Sequence, residues 1–196
     1  MAPSLDSTIR MAAQIAVLTG ERGVGKSTVC QKLAALAQAR GYTCAGIITV
    51  QQAGDARVVL DVRSGALRPL TVAPAAAGAV VQGRFRFDPE TLAWGGEILA
   101  HATPCDLLIV DELGPLELER GHGWRGALDV LAAGGYTLAV VVVRPELAER
   151  VQRRFASSLV ATRSVTRQNR AGAPMALLAL LEYVHRAALA EIAGQR

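Results

Sequence analysis

A short apolar run, Gln14-Ile-Ala-Val-Leu-Thr19, leads without a break into Gly20-Glu-Arg-Gly-Val-Gly-Lys-Ser27. Thr28 to Arg40 then carries a helical pattern that stops at Gly41. Strand, glycine-rich turn and helix in that order leave few ways for a chain to fold, because the turn must hold the strand end against the helix start. The turn matches G-x-x-x-x-G-K-[ST] in full. Its glycines let backbone N–H groups turn inward around the α- and β-phosphates, and the helix start adds the positive end of its dipole. A lysine at Lys26 reaches the outer phosphates and a hydroxyl at Ser27 can hold Mg²⁺. Gly20, Glu21, Arg22, Gly23, Val24, Gly25, Lys26, Ser27 and Thr28 are therefore the expected nucleotide-binding residues. The chain has two lysines, Lys26 and Lys32, against many arginines. A lysine kept in the turn fits a role that a compact ammonium fills and a guanidinium does not.

The rest of the sequence alternates strands and helices. Strands are expected at Thr43–Gln51, Leu107–Glu112, Thr137–Val143 and Leu159–Thr166. Helices are expected from Pro89 to about His101 with Asp88 as cap, and over Trp124–Ala133, Pro145–Phe155 and Ala173–Ile192. This is the pattern of a three-layer α/β fold around a mostly parallel sheet, whose ligands sit at the carboxyl ends of the strands. Residues 53–88 break the alternation. Arg57–Arg63, Leu67–Val72 and Gly83–Asp88 read as short strands of a small antiparallel insertion, with Pro74–Val81 as an Ala/Gly-rich loop. One domain over 14–194 follows, with 1–13 as an N-terminal extension.

Composition narrows the function classes. Charge is +4, hydrophobic residues make up 51% and aromatics 4%. There is no lysine-rich arm and no basic strip interleaved with aromatics, which argues against a nucleic-acid site. Cys30, Cys44 and Cys105 show no paired spacing, so neither a disulfide framework nor a zinc site is expected, in keeping with a reducing cytoplasm. No apolar run reaches membrane length and residues 1–13 lack a signal-peptide core. His101, His122 and His185 have no ligand spacing.

Asp111-Glu112 ends the most apolar strand, on the edge where the turn lies. The aspartate suits Mg²⁺ and the glutamate suits orienting an attacking water. With Lys26, they form an arrangement for NTP hydrolysis. Arg144, at the end of the 137–143 strand, is placed to meet the γ-phosphate or to be a surface residue. Asn169 and Arg170, after the last strand, are placed to meet the base or to cap the next helix. Glu117 and Glu119 fall near the cleft mouth, with a structural role favoured.

The segment Asp111-Glu-Leu-Gly-Pro-Leu-Glu-Leu118 resembles the D-E-[IL]-G-P-M-E-L motif of the THEP1 family of nucleoside-triphosphatases, with Leu116 in place of methionine. Residues 18–28, Ala45-Gly-Ile-Ile-Thr49, Gly83-Arg-Phe-Arg-Phe-Asp88 and Thr166-Arg-Gln-Asn-Arg170 resemble further segments of that family, in the same order. The resemblance implies a RecA-like phosphate-loop fold and slow, Mg²⁺-dependent hydrolysis of nucleoside triphosphates with broad base tolerance. Val50-Gln-Gln-Ala-Gly-Asp55 departs from the family, which runs there through a glutamate and an Arg-Gly-Phe-like patch. Two other readings share the motifs. One is a kinase for a small acceptor. The other is a nucleotide-gated binding module that docks a protein partner through 53–88; a monomer is expected on every reading.

Overall fold

The computed structural model describes residues 13–73, 78–118, 123–124 and 126–194. Most of the N-terminal extension, Pro74–Ala77 of the expected loop, Glu119 and His122 lie outside the described residues.

Five parallel strands form the centre: β1 (Gln14–Thr19), β2 (Cys44–Gln51), β7 (Cys105–Leu113), β8 (Tyr136–Val143) and β9 (Leu159–Ser164). The antiparallel pair β3 (Arg57–Asp61) and β4 (Leu67–Pro69) extends the sheet beyond β2, giving the order β4-β3-β2-β7-β8-β1-β9. One strand separates the loop-bearing β1 from the acid-bearing β7. That strand is β8, and all eight of its residues are buried. A separate hairpin, β5 (Val80–Gln82) with β6 (Phe85–Phe87), completes the insertion. β5 falls where the sequence reads as loop.

Side-chain alternation builds two cores. From β1, Ile15 and Val17 join one core while Ala16 and Leu18 join the other. Leu108 and Val110 oppose Leu107 and Ile109 on β7 in the same way. Each fully buried side chain of this size contributes about 1.5–3 kcal/mol, so the period-two pattern fixes strand register firmly. Helices α1 (Lys26–Ala39) and α6 (Ala173–Gly194) cover one face. Helices α2 (Pro89–Ala100), α4 (Gly126–Ala133) and α5 (Pro145–Arg154) cover the other, and α3 is the single turn Pro115–Leu118. The Asp88 side chain caps α2 by accepting from the Thr91 N–H at 3.1 Å.

Among the described residues one helical stretch, Ala173–Glu191, has the length and composition of a membrane span, a feature the search for an unbroken apolar run passed over. Its Leu177, Leu178 and Leu181 are packed inside the core beside α1.

Gly46 shows how tightly β2 meets β7. Its φ is +107°, and a Cβ built there would come to 2.0 Å from the Ile109 carbonyl oxygen. Gly46→Ala is therefore expected to lose at least about 2 kcal/mol of stability in urea unfolding, through both backbone strain and the forced separation of two central strands.

Candidate active site

The carboxyl ends of β1, β2, β7 and β8 open on one cleft of about 610 Å³. The loop enters it from β1. Gly25, with φ +105°, is the N-cap of α1 and offers no side-chain cap, so the first backbone N–H groups of the helix remain available to an anion. Lys26 is buried, and its Nζ donates to the carbonyl oxygens of Gly20 at 2.6 Å and Glu21 at 3.0 Å. Ser27 and Thr28 line the cleft beside it, with Gly20, Arg22, Gly23 and Gly25.

Beside Ser27 stands Asp111, 2% exposed. Burial pushes its carboxyl up from 3.8 to about 7, although a hydrogen bond with the Ser27 side chain and the charge of Lys26 pull the other way. Its Oδ2 is buried and has no hydrogen-bond partner among the described residues. The Thr49 hydroxyl donates to the Asp111 backbone carbonyl at 2.9 Å, tying β2 to the end of β7. A carboxylate oxygen buried without a donor is a costly arrangement that a bound cation would relieve. The pair Ser27 and Asp111 thus has the oxygen chemistry of an Mg²⁺ site.

Glu112 turns the other way and accepts from Arg144 Nε at 2.6 Å. Both side chains line the cleft, at 29% and 45% exposure. The sequence places Arg144 at the site edge without naming a partner; the structure gives it Glu112. Glu117 is buried behind this pair. Its carboxylate accepts from the backbone N–H groups of Gly114 at 2.8 Å and Trp124 at 3.0 Å, clamping the turn that follows β7. Burial pushes its carboxyl above the usual carboxylate range, and those two N–H donors oppose the rise.

Asn169 is engaged within its own loop. Its Oδ1 accepts from the Thr166 N–H at 2.8 Å and its Nδ2 donates to the Ser164 carbonyl at 2.8 Å. Arg170 lies against the loop: a Cβ on Gly25 would meet its Cδ at 3.7 Å. The cleft itself runs toward the insertion instead. Arg22 reaches from the loop to the Phe85 ring, 5.1 Å from its centroid. Arg57, Leu70, Phe87, Leu92 and Trp124 complete that wall. Sequence reasoning missed Arg57, which opens a short strand and carries no motif.

A family model described as NTPase matches residues 15–178. The chain belongs to the THEP1-type nucleoside-triphosphatase family. It is 32% identical over 166 residues to nucleoside-triphosphatase THEP1 of Thermofilum pendens, covering 82% of this chain and 91% of that protein. It is 34% identical over 134 residues to the THEP1 of Methanopyrus kandleri, covering 65% and 71%. Two solved structures share the fold. A human cancer-related nucleoside triphosphatase superposes with a TM-score of 0.66 at 22% identity, covering 87% of this chain and 98% of that one. THEP1 of Aquifex aeolicus superposes with 0.63 at 18%, covering 86% and 99%. The resemblance carried by Asp111–Leu118 and the expected phosphate-loop fold both hold. This THEP1-type chain is a nucleoside-triphosphate phosphatase.

Proposed function

We propose that the cleft hydrolyses Mg²⁺-bound nucleoside triphosphates, ATP and GTP among them, to diphosphate and phosphate. The observation that supports this most directly is the convergence of Lys26 and Ser27, from the loop, with Asp111 and Glu112, from the end of β7, in one cleft. The loop N–H groups and the α1 start bind and orient the phosphates. Lys26 leaves its two carbonyls and neutralises the outer phosphates, lowering the cost of charge that builds as the terminal group departs. Ser27 and Asp111 would hold Mg²⁺, which when bound draws further charge from the terminal phosphate. Glu112 orients the attacking water and takes its proton, and Arg144 fixes the carboxylate that does so. Glu117 keeps the turn after β7 in place, and with it the direction in which Glu112 points.

Phosphate release over a panel of NTPs, with and without Mg²⁺, tests the mechanism. Wild type is expected to release phosphate only with the cation, and Lys26→Ala to lose at least about 10²-fold in kcat. Turnover unaffected by chelation, or by loss of Lys26, would be incompatible with it.

A further inference from the structure

Arg57 lines this cleft, and the mechanism above gives it no role. It opens β3, at the edge of the sheet where the phosphate loop lies, and pairs in register with Gln51 of β2. Its backbone N–H donates to the Thr71 hydroxyl at 2.9 Å, which pins the strand start. Its guanidinium lies over the Phe85 ring, 4.4 Å from the centroid, and so is held in one plane. Its Nε is buried without a hydrogen-bond partner among the described residues. It lines the same cleft as Lys26, Asp111 and Glu112.

The neighbours sharpen the point. Burial and the nearby charges of Arg22 and Arg144 all disfavour the protonated guanidinium, and Glu112 and Asp55 only partly offset them. Arg144 is engaged with Glu112 at 2.6 Å, and Arg84 with Asp55 at 2.6 Å. Arg22, Arg57 and Arg144 share this end of the cleft with Glu112, Glu117 and Glu146, and Arg57 has a buried donor with no partner among the described residues. A buried cationic donor without an acceptor is unfavourable, and it becomes favourable when an anion arrives. The nucleotide brings its terminal phosphate into this cleft.

We propose that Arg57 is a catalytic residue that binds the terminal phosphate from the insertion side and stabilises the charge that develops on it during hydrolysis. The proposal rests on the hydrolytic reading of the site. In the step it assists, a bond forms from the water oxygen to the γ-phosphorus as the bond to the β–γ bridging oxygen breaks. The electron pair leaves on the β-phosphate and the water proton passes to Glu112. A rigid planar fork on the γ-oxygens acts on that transferring group and not on a bound diphosphate. The hairpin and β3 would then serve the chemistry, by delivering a positive charge that the phosphate loop cannot reach around to supply.

Steady-state phosphate release by wild type, Arg57→Ala and Arg57→Lys tests this, alongside calorimetric affinities for ADP and for ADP with aluminium fluoride. Arg57→Ala is expected to lose about 10²- to 10³-fold in kcat. Its ADP affinity should stay within about twofold, while the gain in affinity on adding aluminium fluoride disappears. Arg57→Lys keeps the charge without the fork and should recover only part of the rate. Added guanidinium at millimolar level should restore turnover to Arg57→Ala, a rescue that a misfolded variant would not show. A kcat within about threefold of wild type overturns the assignment and leaves the hydrolytic mechanism standing. So does a loss matched in ADP affinity and untouched by guanidinium. Absence of Mg²⁺-dependent hydrolysis by the wild type overturns both.

Discussion

Asp111→Asn is expected to make the nucleotide-free protein more stable at pH 8 while abolishing its turnover. The carboxyl sits at about 7 in the folded protein against an ordinary 3.8, because it is buried. The folded state therefore holds the proton more tightly than the unfolded one. The stability this group contributes is fully present below about pH 4 and is lost as pH rises through about 7. The separation between those values corresponds to about 4 kcal/mol. The amide is neutral at every pH and avoids most of that loss. A rise in Tm of about 5 °C or more at pH 8 is expected, together with a flatter dependence of stability on pH between 4 and 7. Differential scanning calorimetry from pH 4 to 8 measures both. The same change removes an oxygen ligand from the proposed Mg²⁺ site, so kcat should fall by at least about 10²-fold. A variant less stable than wild type at pH 8 would mean that the carboxylate is better compensated than its unmatched Oδ2 indicates.

The second large effect belongs to Glu112. Glu112→Gln keeps shape and hydrogen-bonding reach but can neither take a proton nor pair with Arg144 as an ion. Turnover should drop about 10²- to 10⁴-fold with NTP affinity kept within a few-fold. Arg144→Ala should cost less, since it frees the carboxylate without removing it. The double variant should be no worse than Glu112→Gln alone, because the arginine acts through the acid and the two losses are not independent. Fully additive losses would instead mean that Arg144 meets the phosphate directly. Single-turnover phosphate release beside equilibrium NTP binding separates these outcomes.

Local signals carried the sequence reading far, and their reach explains where it stopped. The phosphate loop is contiguous, so Gly20 to Thr28 could be read from one window. Leu107 to Val110 announce a buried strand by their unbroken apolarity, and Asp111 and Glu112 stand out against it. The placement of β8 between β1 and β7 is a long-range fact, and nothing within those strands encodes neighbour order. Val80 to Gln82 is too short to show alternation and follows an Ala-rich stretch. Cys105, expected to precede its strand, is the first residue of β7, where it pairs with Tyr136. Arg144, Asn169 and Arg57 posed the harder problem. An arginine before a proline and an asparagine before a helix each suit two roles, and the contacts they make, with Glu112 at 2.6 Å and the Ser164 carbonyl at 2.8 Å, are set by folding. Arg57 at the start of a short strand looks like any solvent-facing charge until Phe85 is brought to it.

The ammonium of Lys26 is already tethered, at 2.6 Å and 3.0 Å, to two oxygens of the turn that precedes it. The tether holds that long, flexible side chain in place before any ligand arrives, so less of its ordering entropy is left to lose on binding.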